Sequence, residues 1–116
     1  MAKSTAEKGI ELSLSDRINM PSIFPTEGSY EFLIIRKSIL EKISINDSEL
    51  EKYNIKTISE GEQKGWIVWN EKGRLARFNY DFSDLQKNEI KLALKKISED
   101  KKLNDATLSL YEKFVN

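Results

Sequence analysis

At Ser83 the spacing of apolar residues changes from every second residue to every third or fourth residue. This change constrains the fold more than any other feature of the sequence. Apolar residues alternate with polar ones along residues 74–82, with Ala76, Phe78, Tyr80 and Phe82 on one side. This spacing predicts a half-buried β-strand. Ser83, followed by Gln86, then forms a capping-box pattern that starts a helix. The apolar positions of this helix are Leu85, Ile90, Leu92, Ala93, Leu94 and Ile97. The chain must therefore combine strand and helix.

The residues before this strand predict its partner. Residues 66–69 (WIVW) are aromatic and β-branched, and residues 70–73 (NEKG) read as a turn with Gly73 at a positive φ. We therefore expect residues 66–69 and 74–82 to form a β-hairpin.

Helical patterns dominate the N-terminal half. Thr26 is predicted to open a helix whose apolar positions include Phe32, Ile35, Ile39 and Ile43. Pro21 and Pro25 bracket a predicted turn. Residues 10–14 alternate and predict a short strand, with a helix that begins near Ser13 or Ser15 as the alternative. Asn46 and Glu49 form a capping-box pattern before a short helix at about 47–53.

The domain organisation follows from these elements. Asn104 is predicted to cap a last helix, which carries Leu108, Tyr111 and Phe114 at helical spacing. Residues 1–9 are small and polar and are interpreted as a flexible tail. Residues 10–116 then form a single α+β domain, with N-terminal helices, a central β-hairpin or small antiparallel sheet, and two C-terminal helices.

The composition excludes several kinds of chemistry. The 116 residues include no cysteine and no histidine, so thiolate and imidazole catalysis, disulfides and the usual zinc sites are excluded. Residues 79–83 begin like a calcium loop, but Asp84 stands where glycine is needed and Ile90 where glutamate is needed. The sequence therefore predicts no metal, no cofactor and no enzymatic activity. A carboxylate enzyme using Asp81 and Asp84 is the remaining catalytic alternative.

Charge and hydropathy bear on partners and location. Nineteen basic residues balance nineteen acidic ones, and this balance disfavours a general nucleic-acid binder. No apolar run approaches the roughly 20 residues of a membrane span, and the first residues lack the apolar stretch of a signal peptide. We expect a cytoplasmic protein with no membrane partner.

The aromatic hairpin is the candidate interaction site. Trp66 and Trp69 are three residues apart on a predicted strand, so their side chains point to opposite faces. One is expected in the core, and the other, if exposed beside Arg77, would be a strong anchor for a protein partner. Trp66, Trp69, Arg74 and Arg77 form the predicted partner-binding set.

Two other interaction modes stay open. Helix, short helix and hairpin is the order of a winged-helix DNA-binding regulator, in which Arg74 and Arg77 would lie on the wing, but the short helix is acidic. The face formed by Leu108, Tyr111 and Phe114 is interpreted as packing on helix 83–98, with a homodimer through this C-terminal helix as the alternative.

Several segments together resemble a group of small phage and prophage proteins of Gram-positive bacteria. They are residues 23–28 (IFPTEG), the pair Trp69 and Asn70, residues 93–97 (ALKKI), Lys102 with Leu103, and residues 108–114 (LSLYEKF). The resemblance spans residues 12–115 and assigns no catalytic residue. It implies a non-enzymatic phage or prophage accessory protein that binds a host or phage protein, with inhibition of a host defence protein as one form. A virion structural component is another alternative.

Overall fold

The computed structural model describes residues 9–115. The elements, in chain order, are β1 (Ile10–Ser13), α1 (Leu14–Asn19), a 3-10 helix (Met20–Ile23), α2 (Tyr30–Ile43), α3 (Asp47–Lys52), β2 (Lys56–Thr57), β3 (Ile67–Val68), α4 (Glu71–Leu75), β4 (Arg77–Tyr80), α5 (Asp84–Glu99) and α6 (Asp105–Phe114). The predicted tail at residues 1–9 lies outside this range, apart from Gly9. The α+β prediction is confirmed.

The four strands form two separate antiparallel pairs. β1 pairs with β4, with Leu12 opposite Phe78, and β2 pairs with β3, with Lys56 opposite Val68. The predicted hairpin between residues 66–69 and 74–82 is therefore wrong. Both segments contain a strand, but each pairs with a different partner, and the first strand of the domain supplies the neighbour of β4.

A short helix replaces the predicted turn between those segments. The Asn70 side chain accepts a hydrogen bond from the Gly73 N–H at 2.8 Å and so caps α4. Gly73 does not have the predicted positive φ. Its lack of a side chain serves packing instead, because a Cβ there would lie 2.9 Å from Leu14 Cδ1 and 3.0 Å from Tyr53 Cβ. The helix turns the chain away from β3 before β4 begins.

Capping boxes mark three helix starts where the sequence predicts polar caps. Asn46, Ser83 and Asn104 each accept a hydrogen bond from the third helical residue, and that residue's side chain bonds back to the cap. Ser13 forms a fourth box, so residues 10–13 are a strand and the helix follows directly. α2 begins later than predicted, because Ser29 instead of Thr26 provides the capping oxygen, to Phe32 N–H.

One hydrophobic core joins the two C-terminal helices, α2, the 3-10 helix and the β1–β4 pair. Its buried members are Leu12, Met20, Ile23, Phe24, Ile39, Ile43, Phe82, Ile90, Leu94, Leu110 and Phe114. None of these residues comes from the segment 54–70, which contains β2 and β3. Within residues 9–115, no helix is both long and apolar enough to cross a membrane.

Candidate functional site

The β2–β3 hairpin, residues 54–70, lies outside the core and has two different faces. Ile58 N–H donates to the Trp66 carbonyl and Gly65 N–H donates to the Ile58 carbonyl, both at 2.8 Å, so two residues oppose one in a bulge. Gly65 has a φ of 92° and Gly61, in the connecting loop, a φ of 88°. These left-handed conformations suit glycine. The bulge and the two glycines together set the register of the hairpin and so determine which of its side chains share a face.

One face of the hairpin carries Trp66. Because strand side chains alternate, Trp66 and Val68 share a face, and the cross-strand register adds Ile58 and Lys56. We name these four residues the Trp66 face. The Trp66 side chain is 59% exposed, whereas Ile58 and Val68 are partly buried. The most exposed tryptophan therefore lies on a small apolar surface with one lysine at its edge.

Trp69 lies on the opposite face, as the alternation predicts. It is partly buried, and its Cδ1 would lie 3.1 Å from a Cβ at Gly73, so its ring packs against α4. Asn70 N–H also donates to the Tyr53 carbonyl at 2.8 Å, which joins this end of the hairpin to α3. Trp69 thus anchors the hairpin to the rest of the domain, while Trp66 faces solvent.

The two predicted arginines lie outside the hairpin. Arg74 is in α4 and forms an exposed ion pair with Glu71, three residues earlier. The Arg74 hydrogen bond holds the pKa of the Glu71 carboxyl below its ordinary value. Arg77 begins β4, and its guanidinium donates to the Arg74 and Ala76 carbonyls. Their predicted placement on the aromatic hairpin, which the winged-helix alternative requires, is wrong because α4 separates them from β3.

The hairpin itself has no excess of positive charge. Lys56 and Lys64 are matched by Glu60 and Glu62 in the connecting segment, and α3 before it carries three acids against one lysine. A wing that contacts phosphates needs uncompensated basic residues. These charges argue against DNA binding by this part of the molecule.

A buried polar cluster is the other unusual arrangement in the domain, and sequence reasoning missed it. Arg17 is 4% exposed and donates to both carboxylate oxygens of Glu49, at 2.7 and 2.9 Å. It also donates to the carbonyls of Ile43 and Ser44, and its guanidinium lies 4.5 Å from the Phe78 ring centroid. The Arg17 hydrogen bonds hold the pKa of Glu49 below its ordinary value, although burial opposes this shift.

The neighbouring Asp16 is also buried and also fully engaged. Its carboxylate accepts hydrogen bonds from Lys113 Nζ at 2.6 Å, Ser109 Oγ at 3.1 Å and Ser13 N–H at 3.0 Å. The two adjacent charged side chains therefore bond to different elements, Asp16 to α6 and Arg17 to α3 and the end of α2. Because internal groups already occupy the bonding positions of both side chains, this cluster holds the fold together and offers no open site for a substrate.

The acids proposed for the catalytic alternative do not converge in a pocket. Asp81 and Asp84 are both exposed, at the end of β4 and in the first turn of α5. Among residues 9–115, no group of three or more carboxylates is placed to hold a metal ion.

The C-terminal helix packs inward, as its main interpretation predicts. Leu110 and Phe114 are buried in the core and Tyr111 packs against it, whereas Leu108 is 45% exposed. The predicted face is thus divided, because Phe114 and Leu108 point to different environments. It leaves only Leu108 for the homodimer alternative through this helix.

Comparison with family models, curated proteins and solved structures finds no match to this chain. The resemblance to small phage and prophage proteins therefore stays a prediction.

Proposed function

We propose that this protein acts without catalysis, by binding another protein through the Trp66 face. The observation that carries the proposal is the 59% exposed Trp66 side chain, on a hairpin that contributes no residue to the core. Tryptophan is the residue type most enriched among interface residues that dominate binding energy. The apolar neighbours Ile58 and Val68 and the flanking Lys56 provide the mixed surface that such an anchor needs.

The resemblance to phage proteins supports a setting for this activity. In that setting the protein is a cytoplasmic accessory factor of a phage or prophage, and its partner is a host or phage protein. Inhibition of a host defence protein is the form of this role that we propose. The partner would be bound in a fixed ratio, because a binding protein without turnover acts stoichiometrically.

Affinity capture followed by direct binding tests this proposal. The tagged protein is used to capture partners from infected or lysogenic cells with nuclease present, and the captured protein is then purified and titrated. Trp66→Ala should weaken binding by at least about tenfold, the effect of losing a hot-spot tryptophan. Tyr30→Ala is the matched control, since Tyr30 is a 77% exposed aromatic side chain on α2, away from the hairpin.

Two results would contradict the proposal. In the first, Trp66→Ala binds the partner as tightly as the wild-type protein. In the second, the protein binds duplex DNA with an affinity that falls steeply with salt, which would favour the regulator alternative. Recovery of the chain from purified virus particles would instead favour the virion alternative.

A further inference from the structure

A stripe of three exposed residues and one partly buried residue, Glu89, runs along α5 outside its core face. Leu85, Glu89, Leu92 and Lys96 recur at spacings of four, three and four residues, so they lie on one face of the helix. The buried residues Gln86, Ile90 and Leu94 point the other way. Leu85 is 67% exposed and Leu92 is 53% exposed. This helix therefore presents two leucines to solvent in addition to its core face.

An apolar groove adjoins the stripe. It has a volume of about 470 Å³, and its walls are the 3-10 helix and following turn, Phe32 of α2, and the α5 residues Ala93 and Ile97. Ile23, Phe24 and Pro25 line the groove opposite α5, and Leu92 of α5 also lines it. The charged residues that line the groove are Glu89 and Lys96 of the stripe itself. An occupant must therefore be apolar in the middle and carry matching charges at both ends.

The charges on α5 are placed so that two antiparallel copies of this helix bring opposite charges together. Glu89 and Lys96 lie at equal distances, about 5 Å along the helix axis, on either side of the midpoint between Leu92 and Ala93. A two-fold axis through that midpoint turns a second α5 antiparallel to the first. Glu89 of each copy then faces Lys96 of the other, and Leu92 faces Ala93. A parallel arrangement would place Glu89 against Glu89.

We propose that a second copy of this chain occupies the groove, forming a two-fold dimer through antiparallel α5 helices. The contact is the same patch on both copies, which is the commonest arrangement for soluble homodimers. Leu92 of each copy enters the groove of the other, between Ala93 and the Phe24 wall. Lys96 also lies 3.6 Å from Asp100, but both side chains are exposed, so this pair is weak and readily exchanged.

Charge reversal on the full-length protein tests this dimer. The dimer dissociation constant is measured by sedimentation for the wild type, Glu89→Lys, Lys96→Glu and the double variant. Each single variant creates two like-charge contacts per dimer, which should raise the dissociation constant about tenfold or more. The double variant restores both pairs and should dimerise like the wild type. An equimolar mixture of the single variants should form heterodimers.

Two control variants and two possible outcomes decide whether this dimer forms. Lys102→Glu, an exposed charge change outside α5, should leave dimerisation unchanged. Trp66→Ala should also leave it unchanged, so this proposal and the proposed function fail separately. The dimer is overturned if the wild type stays monomeric at its highest soluble concentration. It is equally overturned if the double variant associates no better than the single ones.

Discussion

Two regions of this molecule, one around Arg17 and one around Trp66, differ in whether a side chain that is costly in its environment is buried or exposed. Around Arg17, a charged side chain is taken into the interior and given a partner for each of its groups, drawn from α2, α3 and β4. Around Trp66, a large apolar side chain is left in solvent on a hairpin held mainly by its own hydrogen bonds. The first arrangement stabilises the fold, whereas the second leaves binding surface free.

The residues that stabilise the fold and those of the proposed binding surface therefore lie in different segments of the chain. Apart from the bond between Asp16 and the nearby Ser13 N–H, the side-chain contacts of Asp16 and Arg17 join residues 26 to 97 positions apart, so they form only when the whole domain is folded. Within the hairpin, the paired residues of the two strands are at most 12 positions apart. Substitutions in the cluster should therefore lower the free energy of unfolding of the whole domain. Substitutions in the hairpin should change it little.

Removal of Arg17 should have the largest effect on stability. Arg17→Ala leaves the Glu49 carboxylate and two carbonyl groups without their donor, and we expect a loss of about 3 kcal/mol in unfolding free energy. Urea denaturation monitored by circular dichroism measures this change. Arg17→Lys keeps the charge but not the two-pronged bond, and should lose less. A loss below that of an exposed control, Arg77→Ala, would show that the cluster is not the centre of stability.

Loss of the Asp16 carboxylate should have the next largest effect. Asp16→Ala removes the acceptor for Lys113, Ser109 and the Ser13 N–H, and we expect a loss of about 2 kcal/mol. The same urea experiment measures it. Asp84→Ala is the matched control, because that acid is exposed. Equal effects of the two substitutions would contradict the assignment of Asp16 to the stabilising cluster.

Acidification should weaken the cluster through Glu49. The pKa of Glu49 is lowered in the folded protein from its ordinary value of 4.5, chiefly by Arg17. Its contribution to stability is therefore present above pH 4.5 and is lost as the pH falls through the lowered folded pKa. Unfolding midpoints measured from neutral to acidic pH should fall more steeply for the wild type than for Glu49→Gln. Identical slopes would show that this ion pair does not contribute to acid sensitivity.

Truncation of Trp66 should have the smallest effect on stability. Trp66→Ala removes a mostly exposed side chain outside the core, and we expect a change of less than about 0.5 kcal/mol. Thermal unfolding measures this change, and Trp69→Ala, which removes the packing against α4, should cost more. If Trp66→Ala unfolds the protein as readily as Arg17→Ala, the hairpin belongs to the stabilising part and the proposed separation is wrong.

Local sequence signals predicted local structure well. The caps at Asn46, Ser83 and Asn104 are where the sequence places them, because a side-chain oxygen three residues from its N–H donor needs no distant partner. The apolar face of α5 is likewise confirmed at Ile90 and Leu94, whereas the prediction is wrong for Leu85 and Leu92, which are exposed. At residues 70–73 the local signal was ambiguous, because Asn followed by Gly three residues later suits both a turn and a short capped helix.

The candidate site could be predicted only in part. Alternation indicates that Trp66 and Trp69 point to opposite faces, and it does not indicate which ring packs on α4. The pairing of Arg17 with Glu49 carried no sequence signal, since 32 residues separate them and either side chain would be unremarkable on a helix surface.

By itself, then, the sequence determined the α+β class, the helix caps at Asn46, Ser83 and Asn104, the absence of thiol and imidazole, and part of the inward face of each C-terminal helix. These follow from residue type and short spacing. Only the tertiary structure decided that β4 pairs with β1, that Arg17 and Asp16 are buried, and that Trp66 is left in solvent. Each of these depends on which distant segments meet, and a strand or an ion can satisfy its bonds with any partner that the whole fold brings within reach.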